Sequence, residues 1–218
     1  MNQKDIFINS EGDAWFRRNR SSLESRSDFP DVDFLAPYVT AVEDGELVKF
    51  LEIGCGSGHR INALQKKLNA DGWGIDPSLE AIRYAKNVFA KCQSGSLSFQ
   101  NGTADKLSFR DSFFDFVYFG FCLYVIDRNL LDQVILEANR VLKSGGKLAI
   151  LDFDHPAIVN QNIHHPLLYT YKDTHERFFL QMGYESIGKL SLDRLGNVGF
   201  EADPDLRIAV NLLWKPFN

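Results

Sequence analysis

The chain has 218 residues, of which 44% are hydrophobic and 24% charged, and this composition excludes a disordered protein. Its net charge of −5 provides no basic surface for a nucleic-acid backbone, so no nucleic-acid partner is expected. The longest apolar run, residues 116–126, is too short to cross a membrane, and the N-terminus lacks the apolar segment of a signal peptide. We therefore expect a cytoplasmic protein of one large domain, with no membrane association.

The three cysteines, Cys55, Cys92 and Cys122, are an odd number without a Cys-x-x-Cys pair. This pattern favours buried, reduced thiols over a disulfide framework or a cysteine zinc site. The histidine spacings also match no short zinc motif, and no metal is expected.

Residues 1–46 differ from the rest of the chain, because they are polar and carry an arginine cluster before a short apolar patch at 34–39. We expect two short helices here, forming a lid or cap. From residue 47 to 218, apolar runs alternate with helical periodicity, which is typical of strand–helix units around a parallel sheet.

Five apolar runs predict parallel strands, at 48–53, 72–76, 97–100, 114–119 and 147–153. Between them, Ser78 is expected to cap a helix that buries Leu79, and Asp127 is expected to cap another that runs to Leu142. The glycines of Ser144-Gly145-Gly146 are expected to stop that second helix.

The last third of the chain is less regular. Residues 154–173 form an insert rich in His and Tyr, and a short helix is expected at 174–182. Two final strands, at 184–192 and 207–214, fit an antiparallel pair across a polar loop.

A glycine-rich loop is the strongest functional signal. Gly54, Gly56 and Gly58 follow a buried strand and precede a helix, where backbone N–H groups are free to meet a ligand. An ordinary strand-to-helix turn is the alternative. Asp76 ends the next strand, 22 residues after Gly54, and an acid at that position accepts ribose hydroxyl hydrogens in nucleotide-binding units. Capping of the helix that follows Pro77 is its other role, and the two roles can coexist.

Dinucleotide sites require a further glycine where this chain has His59, and an acid, Glu52, precedes the first glycine by two residues. An acid followed by Gly-x-Gly-x-Gly resembles the first motif of the class I S-adenosylmethionine (SAM)-dependent methyltransferases. The resemblance extends over about residues 47–152. It implies a Rossmann-like α/β fold: a seven-stranded, mostly parallel sheet with an antiparallel last strand, helices on both faces and an N-terminal helical lid.

The resemblance also implies roles for individual residues in binding SAM. The glycine loop would pass the methionine part and the ribose, Glu52 would orient the loop or the cofactor amino group, and Asp105 would accept from the adenine amino group. Phe119, at the carboxyl end of the fourth strand, lies where ligands bind in open α/β sheets. The residues expected at the cofactor, besides those of the N-terminal lid, are Glu52, Gly54, Cys55, Gly56, Gly58, Asp76, Pro77, Ala104, Asp105 and Phe119.

The N-terminal segment contains a polar and aromatic cluster, residues 15–19. In several branches of the family an N-terminal helix closes over SAM, and a cation there meets its carboxylate. We therefore nominate Arg18 and Asn19 as cofactor ligands, with Trp15 as a packing residue. A solvated surface helix is the alternative.

Two residues are candidates for the acceptor side. His155 follows the fifth strand, and a neutral imidazole there could take a proton from an acceptor hydroxyl. A loop histidine without a catalytic task is the alternative interpretation. Tyr124, beyond the fourth strand, is a comparable candidate for the acceptor pocket.

Taken together, the resemblance predicts methyl transfer from SAM to a hydroxyl or amine of a small molecule, with S-adenosylhomocysteine (SAH) as product. The acidic charge, and the absence of an Asn/Asp-Pro-Pro-Tyr pattern after the fourth strand, favour a small-molecule acceptor. The alternatives are a non-catalytic SAM-binding regulator or partner subunit and, from another enzyme class, an NAD-dependent oxidoreductase. The sequence leaves the oligomeric state open.

Overall fold

The computed structural model describes residues 2–68, 70–89, 96–155, 158–162, 164–193 and 195–217. Its central sheet has seven strands, in chain order β1 (Lys49–Ile53), β2 (Asp71–Asp76), β3 (Leu97–Asn101), β4 (Phe114–Gly120), β5 (Leu142–Phe153), β8 (Glu185–Leu192) and β9 (Ile208–Trp214). The spatial order is β3-β2-β1-β4-β5-β9-β8, and only β9 is antiparallel to its neighbours. The predicted Rossmann-like sheet with an antiparallel last strand is confirmed.

Helices cover both faces of this sheet, as predicted. They are α1 (Gln3–Ile6), α2 (Gly12–Ser25), α3 (Pro30–Leu35), α4 (His59–Leu68), α5 (Leu79–Phe89), α6 (Leu131–Val141) and α7 (Glu176–Gln181). Buried residues of α3, α4 and α5 share one core with Phe116 and Tyr118 of β4, while α6 and α7 share the other core with Val117 and Phe119. Because neighbouring residues of a strand point to opposite faces, these are the two sides of one sheet.

The N-terminal segment is more regular than the two short helices that the sequence predicts. Helix α1, a π-helical turn at Phe7–Glu11 and α2 follow one another without a break from residue 3 to 25. Gly12 allows this segment to pack directly on the loop after β2, since a Cβ there would lie 2.8 Å from the Phe7 carbonyl oxygen and 3.3 Å from the Ser78 Cα.

Three local predictions are wrong. Asp127 does not cap α6, because it accepts from the amide of Asn129 in a preceding turn and the helix begins at Leu131. Leu79 is 42% exposed rather than buried, although Ser78 does cap α5 through the Ala81 amide. Helix α6 ends before Ser144-Gly145-Gly146, and β5 begins at Leu142, which pairs with Phe114.

The insert at 154–173 contains a small antiparallel hairpin that sequence periodicity does not predict, β6 (Ile158–Gln161) and β7 (Tyr169–Lys172). Cys55 and Cys122 are free thiols, and Cys92 lies outside the described residues. Within the described ranges, no helix is long and apolar enough to span a membrane.

Candidate functional site

A cavity of about 690 Å³ opens at the edge of the sheet where the parallel strands end, and its volume is typical of small-molecule sites. Its lining comes from the loops after β1, β2, β3 and β4, from α2 and from the hairpin of the insert. The sequence-predicted residues that line it are Trp15, Arg18, Asn19, Gly54, Cys55, Gly56, Asp76, Pro77, Ala104, Asp105 and Tyr124.

The glycine loop adopts a backbone conformation that side chains disfavour. Gly54, Gly56 and Gly58 have φ of 77°, 50° and 82°, which is the left-handed region. At Gly54 a Cβ would also lie 2.6 Å from the Cβ of Cys122, so only glycine fits between β1 and the loop after β4. The loop therefore presents bare backbone to the cavity at Gly54 and Gly56.

Asp76 connects the end of β2 to this loop. One carboxylate oxygen accepts from the Gly56 amide at 2.9 Å, and the other accepts from the Ser78 amide at 2.8 Å. Each oxygen keeps a further acceptor position, and the residue lines the cavity. Burial raises the pKa of Asp76 to about 6. The carboxylate can therefore hold the loop and accept from a pair of ligand hydroxyls at neutral pH.

Glu52 lies beneath the loop rather than in the cavity wall. It is 1% exposed, and neither carboxylate oxygen has a hydrogen-bond partner among the described residues. The nearest cation is the Arg60 guanidinium, 3.8 Å from Oε1. Burial raises the pKa of Glu52 to about 8, so the carboxyl is largely protonated at neutral pH in the absence of a ligand.

Asp105 and Ala104 line the cavity beside β3, at the end where the resemblance places adenine. The Asp105 carboxylate pairs with Lys4 of α1 at 2.6 Å, and this contact fastens the N-terminal segment to the sheet edge. The hydrogen bond and charge of Lys4 outweigh partial burial and hold the pKa of Asp105 below its usual value.

The N-terminal candidates lie at the cavity but already have partners within their own segment. Arg18 forms an ion pair with Glu11, and the Asn19 side-chain amide donates to the Trp15 carbonyl at 2.8 Å. Trp15 is 36% exposed at the cavity wall. Arg18 must therefore share its guanidinium with Glu11 if it also binds a cofactor carboxylate.

The two candidate catalytic residues are not brought together. Tyr124 lines the cavity with Phe121, and burial raises the pKa of its phenol, which keeps its proton. His155 is absent from the described cavity lining, and its Nε2 lies 3.4 Å from an Asp205 carboxylate oxygen, so its role beside an acceptor stays a prediction.

Phe119 lies at the carboxyl end of β4, as predicted, but is likewise absent from the described cavity lining. Its side chain is fully buried and packs on Phe179 of α7, in the core beneath the sheet. The next residues of the chain, Gly120 and Phe121, reach the cavity instead. Phe121 has φ of 61°, a strained conformation for an aromatic residue and one that turns the chain at the end of β4.

Three cationic residues of the cavity wall were not predicted from the sequence as site residues, namely Lys4, Arg26 and Arg60. Lys4 and Arg60 act across long sequence separations, on Asp105 and Asp31, which no local pattern indicates. For Arg26 the sequence gives one indication that it lacks a local ion pair. No acidic residue stands three or four positions away from it, the spacing at which Arg20 pairs with Glu24.

Comparisons with known proteins agree with this geometry. Residues 51–150 match a family model described as a methyltransferase domain. A demethylmenaquinone methyltransferase from Staphylococcus aureus is 35% identical over 115 residues, which is 51% of this chain and 45% of the relative. The chain thus spans about half the length of the curated relatives that it matches.

Solved structures share the fold. A SAM-dependent methyltransferase from Methanosarcina mazei has a TM-score of 0.64 at 22% identity, with 82% of this chain and 100% of that chain covered. The complex between the Haloferax volcanii Trm112 methyltransferase activator and a methyltransferase contains a chain with a TM-score of 0.70 at 21% identity. The match covers 97% of this chain and 98% of that chain. At these identities the likeness establishes the fold.

Proposed function

Because this chain carries a class I methyltransferase domain of the SAM-dependent family, we propose that it transfers a methyl group from SAM to a hydroxyl or amine of a small molecule. One observation carries the proposal. The cavity that the glycine loop, Asp76 and Asp105 line is also lined by apolar side chains of β5, β8 and β9, Leu151, Leu192 and Ile208. The same cavity therefore offers polar groups for a cofactor and apolar walls for an acceptor.

The residues present fit SAM. Gly56 leaves open space for a ligand against the backbone, Asp76 offers two acceptors for ribose hydroxyls, and Asp105 offers acceptors near β3. Bound there, SAM would supply an activated methyl carbon on its sulfonium. These residues would take the roles in cofactor binding that the family resemblance implies for them.

The protein's part in the reaction is alignment and exclusion of water. The N-terminal segment covers the cavity, held by the Lys4–Asp105 ion pair and by the Asp13 carboxylate, which accepts from the Ser78 hydroxyl at 2.7 Å. Holding two reactants in line supplies most of the rate enhancement that an already activated methyl group requires. Since the Tyr124 phenol retains its proton, it serves as a donor or a packing surface rather than as a general base.

The relatives' name adds demethylmenaquinone to the acceptors to be tested, as a compound outside the hydroxyl and amine classes. The decisive assay follows SAH formation by mass spectrometry with SAM and a panel of phenols, aliphatic amines and demethylmenaquinone, beside protein and RNA substrates. We expect turnover with a small molecule, and loss of that turnover in Asp76→Ala. Methylation of only protein or RNA would contradict the small-molecule proposal. SAH binding without any turnover would favour the non-catalytic regulator.

A further inference from the structure

Arg26 lines the cavity. It follows the last residue of α2, is half-buried, and donates from Nε to the Asp28 carbonyl at 3.1 Å. Its guanidinium carbon lies 5.4 Å from the centre of the Phe29 ring. A Cβ on Gly196, in the loop after β8, would lie 2.8 Å from its Nη2, so the guanidinium is held between that loop and Phe29.

Arg26 differs from the other cations of the cavity wall in having no acidic partner. Lys4 pairs with Asp105 at 2.6 Å, Arg60 pairs with the fully buried Asp31 at 2.8 Å, and Arg18 pairs with Glu11; these partners are all carboxylates. In the part of the chain that the structure describes, no carboxylate oxygen lies within 4.0 Å of the Arg26 guanidinium. Among the described residues, Arg26 is therefore a half-buried cation of the cavity wall without a carboxylate in direct contact.

The electrostatics of Arg26 agree with this geometry. Burial, followed by repulsion from the Arg60 guanidinium, lowers the pKa of Arg26, so its surroundings disfavour the charge. A half-buried cation without a counter-ion carries an energetic cost that an anionic ligand would relieve.

The position of Arg26 points to the methyl acceptor rather than to the cofactor. Asp76 and Asp105 lie at the ends of β2 and β3, whereas Arg26 touches the loop after β8. In the order β3-β2-β1-β4-β5-β9-β8, the strand that leads into this loop lies at the edge opposite β3. The contact with Gly196 therefore places Arg26 against the β8 side of the site, while the Phe29 ring separates it from Arg60, whose guanidinium carbon lies 6.0 Å from the ring centre.

Apolar side chains line the cavity on the β8 side. Leu192 and Ile208, which pair with each other in the sheet, belong to the lining together with Leu23 and Phe29, the residue whose ring the Arg26 guanidinium faces. An apolar body on a ligand would pack against these side chains. An anionic group at one end of that body would meet the only unpaired cation among the described lining residues.

We propose that Arg26 is the specificity-determining residue for the acceptor and that the acceptor is a largely apolar, aromatic or alicyclic molecule bearing a carboxylate. The proposal rests on the methyltransferase function proposed above. The planar guanidinium offers two parallel N–H donors to a carboxylate. A neutral amide on the ligand lacks the negative charge that strengthens these hydrogen bonds. At a half-buried position, this charge-assisted pair contributes more binding free energy than it would on the surface.

The test uses matched acid and amide probes, para-hydroxybenzoate against its amide and a hydroxynaphthoate against its amide, titrated by calorimetry into protein saturated with SAH. We expect the acids to bind about tenfold or more tightly than the amides. The Arg26→Gln variant should lose this preference, and Arg26→Lys should restore part of it. Arg20→Gln is the matched control, because Arg20 is an exposed residue of α2 outside the described cavity lining.

Two results would overturn the proposal. If no acid binds the wild-type protein more tightly than its amide, Arg26 does not select a carboxylate. If Arg26→Gln weakens SAH binding while the acid preference remains, the cation belongs to the cofactor site. Failure of SAH to bind the wild-type protein at all is a different result, and it would contradict the methyltransferase function itself.

Discussion

The carboxylate of Asp76 accepts a hydrogen bond from the backbone amide of Gly56, 20 positions earlier in the chain. This bond ties the end of β2 to the glycine loop after β1. The residue expected to bind the cofactor ribose therefore also fixes the loop expected to pass beside it. Loss of this carboxylate should consequently affect ligand binding more than a single missing contact would.

The first prediction concerns pH. Because burial raises the pKa of Asp76 to about 6, the carboxylate is ionised above that pH and protonated below it. Ligand hydroxyls need the ionised form as acceptor, so SAH affinity should be constant near pH 8 and fall by up to about tenfold per unit below pH 6. Calorimetry across this range measures it, with Asp76→Asn as a pH-independent, weak-binding control. Equal wild-type affinity at about pH 5 and pH 7 would contradict the assignment.

The second prediction concerns Gly54. Its φ of 77°, and the 2.6 Å that would separate an added Cβ from the Cys122 Cβ, make Gly54→Ala both strained and overpacked. We expect a loss of roughly 2–5 kcal/mol in the free energy of unfolding and loss of SAH binding. Gly45→Ala is the matched control, because Gly45 has φ of 81° but no atom within 4 Å of an added Cβ.

The control should lose only about 1–2 kcal/mol and bind SAH normally. Denaturant unfolding of both variants measures the difference. Equal losses in the two variants would show that contact with Cys122 contributes nothing.

The third prediction concerns the attachment of the N-terminal segment. The buried Gln3 side chain donates to the Val125 and Tyr169 carbonyls at 2.6 and 3.0 Å and accepts from the Tyr169 amide at 3.0 Å. Gln3→Ala removes these three bonds, so amide hydrogen exchange should accelerate in α1 and β7 but not in β1 or β4. Gln100→Ala, which removes one exposed bond to Ser108, is the control. Unchanged exchange in α1 would contradict this role.

The fourth prediction concerns Glu52. A buried carboxyl with a pKa of about 8 is protonated in the folded state where the unfolded chain is ionised, so wild-type stability should decrease as pH rises from about 5 to 8. Glu52→Gln cannot ionise and should flatten this part of the decrease. The free energy of unfolding at several pH values tests it. Parallel pH profiles for the two proteins would show that Glu52 is already ionised.

The sequence predicts the sheet well because its signals are local. The unbroken apolar run of β4 indicates a strand that is covered on both faces, and the structure buries all seven of its residues. The glycine pattern and Asp76 follow from the ends of two neighbouring strands in the same way. Such features depend on residues close in sequence, which a single chain displays directly.

The sequence predicts less where tertiary contacts decide. His155 stands close to β5 in sequence, but the chain places it beside Asp205 and outside the described cavity lining. Phe119 points to the opposite face from its neighbour Tyr118, and periodicity does not reveal which face leads to a ligand. Arg26 becomes notable only after Asp31, Asp105 and Glu11 are seen to neutralise the other cations.

The central claim is that the cavity binds SAM through Asp76, and calorimetric titration of SAM and SAH tests it most directly. NAD serves as the control ligand, and Asp76→Ala is measured beside the wild-type protein. We predict micromolar binding of SAM and SAH, weakened by about tenfold or more in the variant, and no heat with NAD. Binding of NAD with no response to SAM or SAH would contradict the account.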